Sequence, residues 1–100
     1  MRLIAQSTLV AFAERNPPSG ASLMHWRRVV KAATWRDAAE VQAAFSKAKA
    51  LKGGRVRFEI AGGDFRLIAA FDFPRQIAFV KFIGSHAEYD KIDALTVSLF

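Results

Sequence analysis

A short polar segment follows a long apolar run and contains a histidine and a tyrosine three residues apart: Ser85-His86-Ala87-Glu88-Tyr89. Ser85 and Glu88 have the spacing of a capping box, in which a hydroxyl and a carboxylate bind the first free amides of a helix, and this places His86 at the first helical position. Tyr89 then lies on the same helix face as His86. A helix N-terminus attracts phosphate because unpaired amides and positive partial charge gather there. His86 is therefore a candidate general base beside a bound phosphate, although a lone histidine at such a position is more often a surface residue.

Two further candidates, Arg66 and Lys81, lie on consecutive predicted strands. Pairing Leu67 with Phe82 buries both apolar residues on one face and places Arg66 and Lys81 together on the opposite face. A slip of one residue in this pairing would separate the two cations. Two interpretations stay open: a pair of solvent-facing charges on an open sheet, or a cationic site that stabilises a phosphate.

Basic residues are concentrated in one region of this 100-residue chain, which carries a net charge of +6. Nine lysines and arginines lie from Arg27 to Arg57, and only Asp37 and Glu40 oppose them there. Such a region fits either an ordinary solvated surface or the footprint of a nucleic acid, and charge alone does not separate the two.

The composition excludes several other chemistries. The chain has no cysteine, which rules out disulfide scaffolds and thiolate metal sites and fits a reducing compartment. His25 and His86 are far apart, no carboxylate stands at metal-ligand spacing, and no phosphate-binding glycine loop or nucleophile elbow occurs, so we expect no metal and no cofactor. We find no signal peptide and no segment near the roughly 18 apolar residues of a membrane span, which makes the cytoplasm the default location.

The first half of the chain predicts three helices: one capped by Ser7, one over residues 22–33, and one opened by a capping box at Asp37 and Glu40. A short first strand at residues 3–4 precedes them. This order places the helices before the period-two part of the chain.

From Arg55 onward, apolar and polar residues alternate as in half-buried strands. Residues 55–60, 65–72 and 77–83 predict a three-stranded antiparallel meander with turns between them. We therefore expect residues 1–100 to form a single α+β domain, with N-terminal helices packed on one face of a small antiparallel sheet and a short C-terminal helix. Phe100 is expected to contact the core or a partner.

The segments that carry the candidate residues resemble a known family. Residues 62–68 and 81–93 are similar to the HigB-type toxins of the RelE/ParE superfamily, which belong to type II toxin–antitoxin systems. Residues 1–5 and 35–45 are similar as well, so the resemblance spans nearly the whole chain. Its specific part is the run Gly84-Ser85-His86-Ala87-Glu88-Tyr89-Asp90-Lys91.

The resemblance implies a RelE/ParE-like fold and an mRNA interferase, an endoribonuclease that cuts translating mRNA in the A-site region of the 30S ribosomal subunit. It also implies a cognate HigA-like antitoxin protein that neutralises the toxin. In this family the site lies on the concave sheet face, where Arg66 would contact the phosphate, and His86 and Tyr89 would complete the site after the last strand. The resemblance leaves open which residue is the base, because some RelE relatives rely on several lysines and arginines and have no histidine there.

RNA cleavage without a metal requires a deprotonated 2′-hydroxyl, in-line attack on phosphorus and a protonated leaving 5′-oxygen. Our hypothesis assigns His86 as acid or base, Arg66 and Lys81 as phosphate stabilisers, and Tyr89 as a base-stacking or proton-positioning group. The residues expected to bind the flanking RNA are Lys52, Arg55, Arg57 and Lys91. Neither a membrane nor DNA is an expected partner. Two alternatives stay open: a ParE-like toxin that inhibits gyrase, and a non-catalytic module that binds RNA or the ribosome.

Overall fold

The computed structural model describes residues 1–99 and shows an α+β architecture. The helices are α1 (Gln6–Arg15), α2 (Gly20–Ala32), α3 (Ala38–Ala44) and α4 (His86–Tyr89). The strands are β1 (Arg2–Ile4), β2 (Lys49–Ala50), β3 (Arg55–Ile60), β4 (Phe65–Asp72) and β5 (Ile77–Ser85). Single 3-10 turns occupy Pro17–Ser19, Lys52–Gly54 and Ala61–Gly63. Phe100, for which a core or partner contact was expected, lies outside the described residues.

One sheet joins the five strands in the order β1-β5-β4-β3-β2. The predicted antiparallel meander is its centre, formed by β3, β4 and β5. Two edge strands widen it: β1 pairs with β5 in parallel, and β2 pairs with β3 in antiparallel orientation. The sheet is therefore mixed. The sequence did not predict β2, because two exposed residues are too few to show a period.

The start of α1 differs from the prediction. The N-cap is Ala5, whose φ of 69° is left-handed, and Ser7 lies inside the helix, so the predicted cap is wrong. The hydroxyl of Thr8 donates to the carbonyl of Ala5. The reason is tertiary, because pairing with β5 holds the chain extended to Ile4, and the backbone must then reverse at Ala5 to enter the helix.

The start of α3 follows the predicted cap in part. Asp37 is the N-cap, and its carboxylate accepts from the amide of Glu40 at 3.0 Å. The Glu40 carboxylate accepts from the amide of Arg36 at 2.7 Å, one residue before the expected donor. The pair still satisfies two amides at the helix entry.

The hydrophobic core lies between α1–α3 and one face of the sheet. Its largest fully buried side chains are Trp26 from α2 and Phe58 from β3, whose rings meet edge to face with centroids 5.3 Å apart. Leu23, Trp26 and Val30 form the predicted buried stripe of α2. Such interlocked packing gives the sheet one buried face and leaves its other side as the outer face. No helix among residues 1–99 is long and apolar enough to span a bilayer.

The register between β4 and β5 differs from the prediction by one residue at Leu67. Leu67 pairs with Ile83, and Phe82 pairs with Ile68. The cause is a β-bulge, because Ile68 and Ala69 oppose Phe82 and Val80, which leaves Lys81 as the extra residue. The period-two alternation therefore shifts at this point. Ile83 enters the core in place of Phe82, which is buried on the outer face instead.

The C-terminal segment, residues 90–99, returns across the outer face. The guanidinium Nη1 of Arg55 on β3 donates to the carbonyls of Ala94 (3.3 Å) and Val97 (2.6 Å). The amide of Leu99 donates to the carbonyl of Lys81 on β5 at 3.0 Å. Ile68 lies on the outer face of β4 between these two anchors and is fully buried, which agrees with a covering layer over this part of the sheet.

Candidate active site

Three charged side chains form a bridge on the outer face, at the end of the sheet nearest the β3–β4 turn. Glu59 pairs directly with Arg66 across the two strands, and Arg57 lies two residues before Glu59 on the same face of β3. Glu59 Oε1 is 3.6 Å from Nη1 of Arg66, and its Oε2 is 3.6 Å from Nη2 of Arg57. The side chains are 24%, 12% and 18% exposed for Glu59, Arg66 and Arg57. We call this set the Arg57–Glu59–Arg66 bridge.

Backbone carbonyls hold both guanidinium groups from the far sides of the bridge. Arg66 Nη1 donates to the carbonyl of Gly63 at 3.0 Å, and Arg57 Nη2 donates to that of Lys47 at 3.2 Å. Gly63 has a φ of 97°, and a Cβ there would lie 2.9 Å from Glu59 Oε1 and 3.0 Å from Arg66 Nη1. A side chain at position 63 would therefore push the bridge apart.

The start of α4 closes the same end of the outer face. Ser85 and Glu88 form the predicted capping box, with the Glu88 amide donating to Ser85 Oγ (3.1 Å) and the Ser85 amide donating to Glu88 Oε1 (2.9 Å). The amide of His86 donates to the carbonyl of Asp64 in the β3–β4 turn at 3.0 Å. His86 therefore begins α4 beside the turn that also anchors Arg66.

The side chain of His86 is oriented by its own helix. Its Nδ1 lies 3.0 Å from Oδ2 of Asp90, and both side chains are more than half exposed. Exposure leaves the imidazole open to a ligand, and the contact with Asp90 favours a ring orientation in which Nε2 is the unoccupied nitrogen.

Tyr89 packs on the ring of Phe82, with centroids 6.2 Å apart and planes inclined by 58°. Phe82 in turn covers Gly84, where an added Cβ would lie 2.7 Å from the Phe82 Cζ. Because Gly84 is the cross-strand partner of Arg66, this aromatic pair borders the arginine. The bulge at Lys81 is what brings Phe82 to this face.

The pairing of Arg66 with Gly84 places Arg66 near the chain that leads into α4. His86 follows Gly84 by two residues and begins α4. Arg57 and Tyr89 contact Glu59 and Phe82 respectively. The described contacts of the Arg66 guanidinium are with Glu59 and Gly63, and that of the His86 imidazole is with Asp90.

Lys81 lies on the outer face but not beside Arg66. Its Nζ is 5.5 Å from the centroid of the Phe79 ring. Phe79 pairs with Ala70, four residues along β4 from Arg66. Lys81 itself stands three residues before Gly84, roughly 10 Å along the strand at the usual rise per residue. The expectation that both cations share a face therefore holds, whereas the pairing from which it came is wrong.

The other predicted RNA-binding residues are spread over the surface. Lys52 is exposed in the turn between β2 and β3, at the opposite end of β3 from Glu59. Arg55 is engaged with the C-terminal segment, as described above. Lys91 is exposed immediately after α4, and its amide donates to the carbonyl of Glu88 at 3.1 Å.

Sequence reasoning missed Glu59, Phe82 and Asp90 as neighbours of the candidate residues. Glu59 appears in the sequence only as a polar residue of an alternating strand, and its partner Arg66 becomes visible only with the register. Asp90 carried a local signal, because it follows His86 by four residues and helical residues at that spacing are neighbours. Within residues 1–99, no group of three or more His, Cys, Asp or Glu side chains is arranged to hold a metal ion.

Comparison with known proteins identifies the family. Residues 19–92 match the family model of the HigB toxin, described as the RelE-like toxic component of a toxin–antitoxin system. The chain belongs to the HigB toxin family. The matched range includes the whole Arg57–Glu59–Arg66 bridge and α4, and it begins after α1.

A curated relative within the same family extends the likeness to almost the full length. This relative, the mRNA interferase HigB of Escherichia coli O6:H1 (strain CFT073), is 29% identical over 94 residues, which cover 92% of the present chain and 91% of the relative. The present HigB-family chain and this protein therefore correspond over nearly their whole lengths.

Proposed function

We propose that this HigB-family chain is a ribosome-dependent mRNA endoribonuclease, the toxin of a type II toxin–antitoxin system, and that it stops translation by cleaving mRNA without a metal ion. Membership of the HigB toxin family and the similarity to an mRNA interferase of E. coli support this class of reaction. The single observation that supports a site for it is the pairing of Arg66 with Gly84, which sets an arginine of the bridge beside the start of α4.

Arg66 is proposed to bind the scissile phosphate. Its described contacts use Nη1, so within residues 1–99 the second terminal nitrogen is left for a phosphate oxygen. A guanidinium fixed in advance stabilises the charge that develops on the phosphoryl oxygens in the transition state, because little reorganisation is required when that charge forms. Arg57 would hold an adjacent phosphate of the backbone.

His86 is proposed to transfer the proton. With Nδ1 directed at Asp90, Nε2 would either take the proton of the attacking 2′-hydroxyl or deliver one to the leaving 5′-oxygen. The bond that forms joins the 2′-oxygen to phosphorus, and the bond that breaks joins phosphorus to the 5′-oxygen, so the products are a 2′,3′-cyclic phosphate and a 5′-hydroxyl end. Tyr89, packed on Phe82, would stack a base or position the proton.

The remaining cations are proposed to extend the RNA interface. Lys81 lies on the outer face, Lys91 is exposed after α4 and Lys52 is exposed in the turn before β3, and each phosphate contact that they make would add to the salt dependence of binding. Arg55 would contribute only where RNA displaces the C-terminal segment from it. A HigA-like antitoxin, mRNA and the ribosomal A-site region are the proposed partners, and the cytoplasm is the proposed location.

The test is to express the protein in bacteria and to map new 5′ ends across cellular mRNA, with Arg66→Ala as a matched inactive control. The proposal predicts cuts within translated frames that carry 5′-hydroxyl ends and disappear in the control. Cleavage of the same mRNA in purified form, with and without ribosomes, then tests ribosome dependence. Growth arrest with altered plasmid supercoiling and no mRNA cuts would instead support a gyrase-inhibiting toxin, and RNA binding without either effect would support a non-catalytic module.

A further inference from the structure

We propose that Glu59 is a positioning residue of this site: its carboxylate sets the places of the Arg57 and Arg66 guanidinium groups for the RNA backbone, and it lowers the affinity of the same face for RNA. This inference rests on the proposed function, since it concerns how that face handles its substrate.

The geometry of the carboxylate carries the first part of the argument. Each of its two oxygens faces a different arginine, and both distances are 3.6 Å. An acidic residue that served one ion pair would turn both oxygens to one guanidinium, which is the preferred bidentate geometry. The observed arrangement instead spaces two cations on either side of one anion.

The second part is that each arginine has another fixed contact. Arg66 is held by the carbonyl of Gly63, and Arg57 is held by that of Lys47. The glycine at position 63 leaves room for the bridge, because a Cβ there would lie 2.9 Å from Glu59 Oε1 and 3.0 Å from Arg66 Nη1. Two contacts on each guanidinium restrict its rotation before RNA arrives, which lowers the ordering cost at the moment of binding.

The third part is the sign of the charge. Without Glu59, the two arginines would present two positive charges, and with it the bridge has a net charge of one. Glu59 also borders a cleft with Lys47 and Gly62 on the β2 side, and its side chain is partly exposed, so the carboxylate is partly open to solvent. An anion at this place repels the phosphates of the RNA, so Glu59 weakens binding of the uncleaved RNA. In return, it holds the two arginines in fixed orientations. Binding energy that the substrate and the transition state lose equally does not slow cleavage in the bound complex. Arginine contacts that strengthen in the transition state make that cleavage faster.

The experiment compares three single variants of the full chain. Glu59→Gln removes the charge and keeps the size, whereas Glu59→Asp keeps the charge and shortens the reach by one methylene. Glu14→Gln, on the exposed face of α1, removes the same charge far from the bridge and is the matched control. Single-turnover cleavage is measured with mRNA on programmed ribosomes, and binding is measured with the same RNA oligonucleotide carrying 2′-O-methyl groups, which cannot be cleaved by attack of the 2′-oxygen.

The two Glu59 variants should separate the effect of the Glu59 charge on RNA affinity from its effect on the orientation of the arginines. For Glu59→Gln we expect RNA affinity to rise about fivefold, the size of one exposed charge contact near 4 Å. Its cleavage rate should fall about 10- to 100-fold, as a small displacement of positioning groups does. Glu59→Asp should keep its affinity and lose rate, and Glu14→Gln should match wild type in both. Combining Glu59→Gln with Arg66→Ala should lower the rate no further than Arg66→Ala alone, because the two residues act as one unit.

Several results would overturn the inference. One is a folded Glu59→Gln variant with wild-type rate and affinity, and another is a rate loss fully explained by lower thermal stability. A loss of about 1,000-fold or more in both Glu59 variants, with unchanged affinity, would make Glu59 a proton-transfer group instead. If Glu59→Gln does not fold, the rate of Glu59→Asp decides. A wild-type protein that cleaves no RNA contradicts the proposed function itself, whereas a cleaving wild type with an indifferent Glu59 contradicts only this inference.

Discussion

The imidazole Nδ1 of His86 lies 3.0 Å from the carboxylate Oδ2 of Asp90, one turn further along the chain. Both side chains are largely exposed, so the contact contributes little to the stability of the fold. Its consequence is orientation, because a ring held at Nδ1 by Asp90 turns Nε2 away from that carboxylate.

Replacing His86 by alanine should remove growth arrest and lower the rate of mRNA cleavage about 100- to 10,000-fold, the range of a lost acid–base group. Asp90→Asn should lower the rate less, about tenfold, because the imidazole remains and only its orientation is loosened. Single-turnover cleavage and circular dichroism measure the two effects. The matched control is His25→Ala on the exposed side of α2, and a fully toxic, folded His86→Ala protein would refute the proton-transfer role.

Arg66→Ala should lower cleavage about 100- to 1,000-fold, since one preorganised donor to the developing charge is lost. Arg66→Lys should recover only part of this rate, because an ammonium group cannot keep the contacts to Glu59 and Gly63 while it also binds phosphate. The comparison uses the same cleavage assay, with Arg36→Ala as a control at an exposed position before α3. Equal rates for the lysine variant and wild type would contradict the two-point anchoring of the guanidinium.

Gly84→Ala should disturb the aromatic side of the site. The added methyl group would lie 2.7 Å from the Phe82 Cζ and 3.3 Å from the Cβ of Glu88, so Phe82 and the start of α4 must shift. We expect a loss of about 1–3 kcal/mol in the free energy of unfolding, as overpacking typically costs, measured by urea denaturation. Gly20→Ala is the control, because its Cβ meets nothing within 4 Å, and its stability should be unchanged or higher. An undisturbed Gly84→Ala protein would show that Phe82 does not cover this glycine.

Deleting Lys81 should leave the fold intact. The bulge makes Lys81 the extra residue, so its removal places Val80 and Phe82 next to each other, opposite Ala69 and Ile68, with every other side chain on its present face. Deleting Val80 instead would bring Lys81 opposite Ala69 in the core, and we expect that protein not to fold. Urea denaturation of the two deletions distinguishes them. If the Lys81 deletion unfolds as completely as the Val80 deletion, the bulge is placed wrongly.

Arg55→Ala should release the C-terminal segment, because the guanidinium bonds to Ala94 and Val97 anchor it to β3. Hydrogen–deuterium exchange should become at least about tenfold faster for the amides of residues 94–99, with little change in β3 and β4. Arg75→Ala, at an exposed position in the turn between β4 and β5, is the control. If exchange is unchanged, while RNA binding is weaker and depends less steeply on salt concentration, Arg55 contacts RNA as the sequence predicted and does not anchor the C-terminal segment.

The sequence was sufficient to predict the features that depend on residues close together in the chain. The capping box of Ser85 and Glu88 is complete within four residues, so the start of α4 and the place of His86 could be predicted without any tertiary contact. The buried stripe of α2 and the alternation of β3 follow from periods of 3.6 and two, which the core enforces along a single element. The helix–sheet layering follows from the order of these periods along the chain.

Relations between elements were decided only by the tertiary structure. A bulge adds one residue to one strand and leaves no mark in the alternation of its partner, so the register of Arg66 with Gly84 and the transfer of Phe82 to the outer face were hidden. The pairing of β3 with β4 defines the Arg57–Glu59–Arg66 bridge, because ion pairs across strands depend on which residues oppose each other. The sequence by itself thus determined the types of the residues and the helix that begins at His86. Which of these residues become neighbours depended on strand pairing, and strand pairing is set by long-range packing of the whole core.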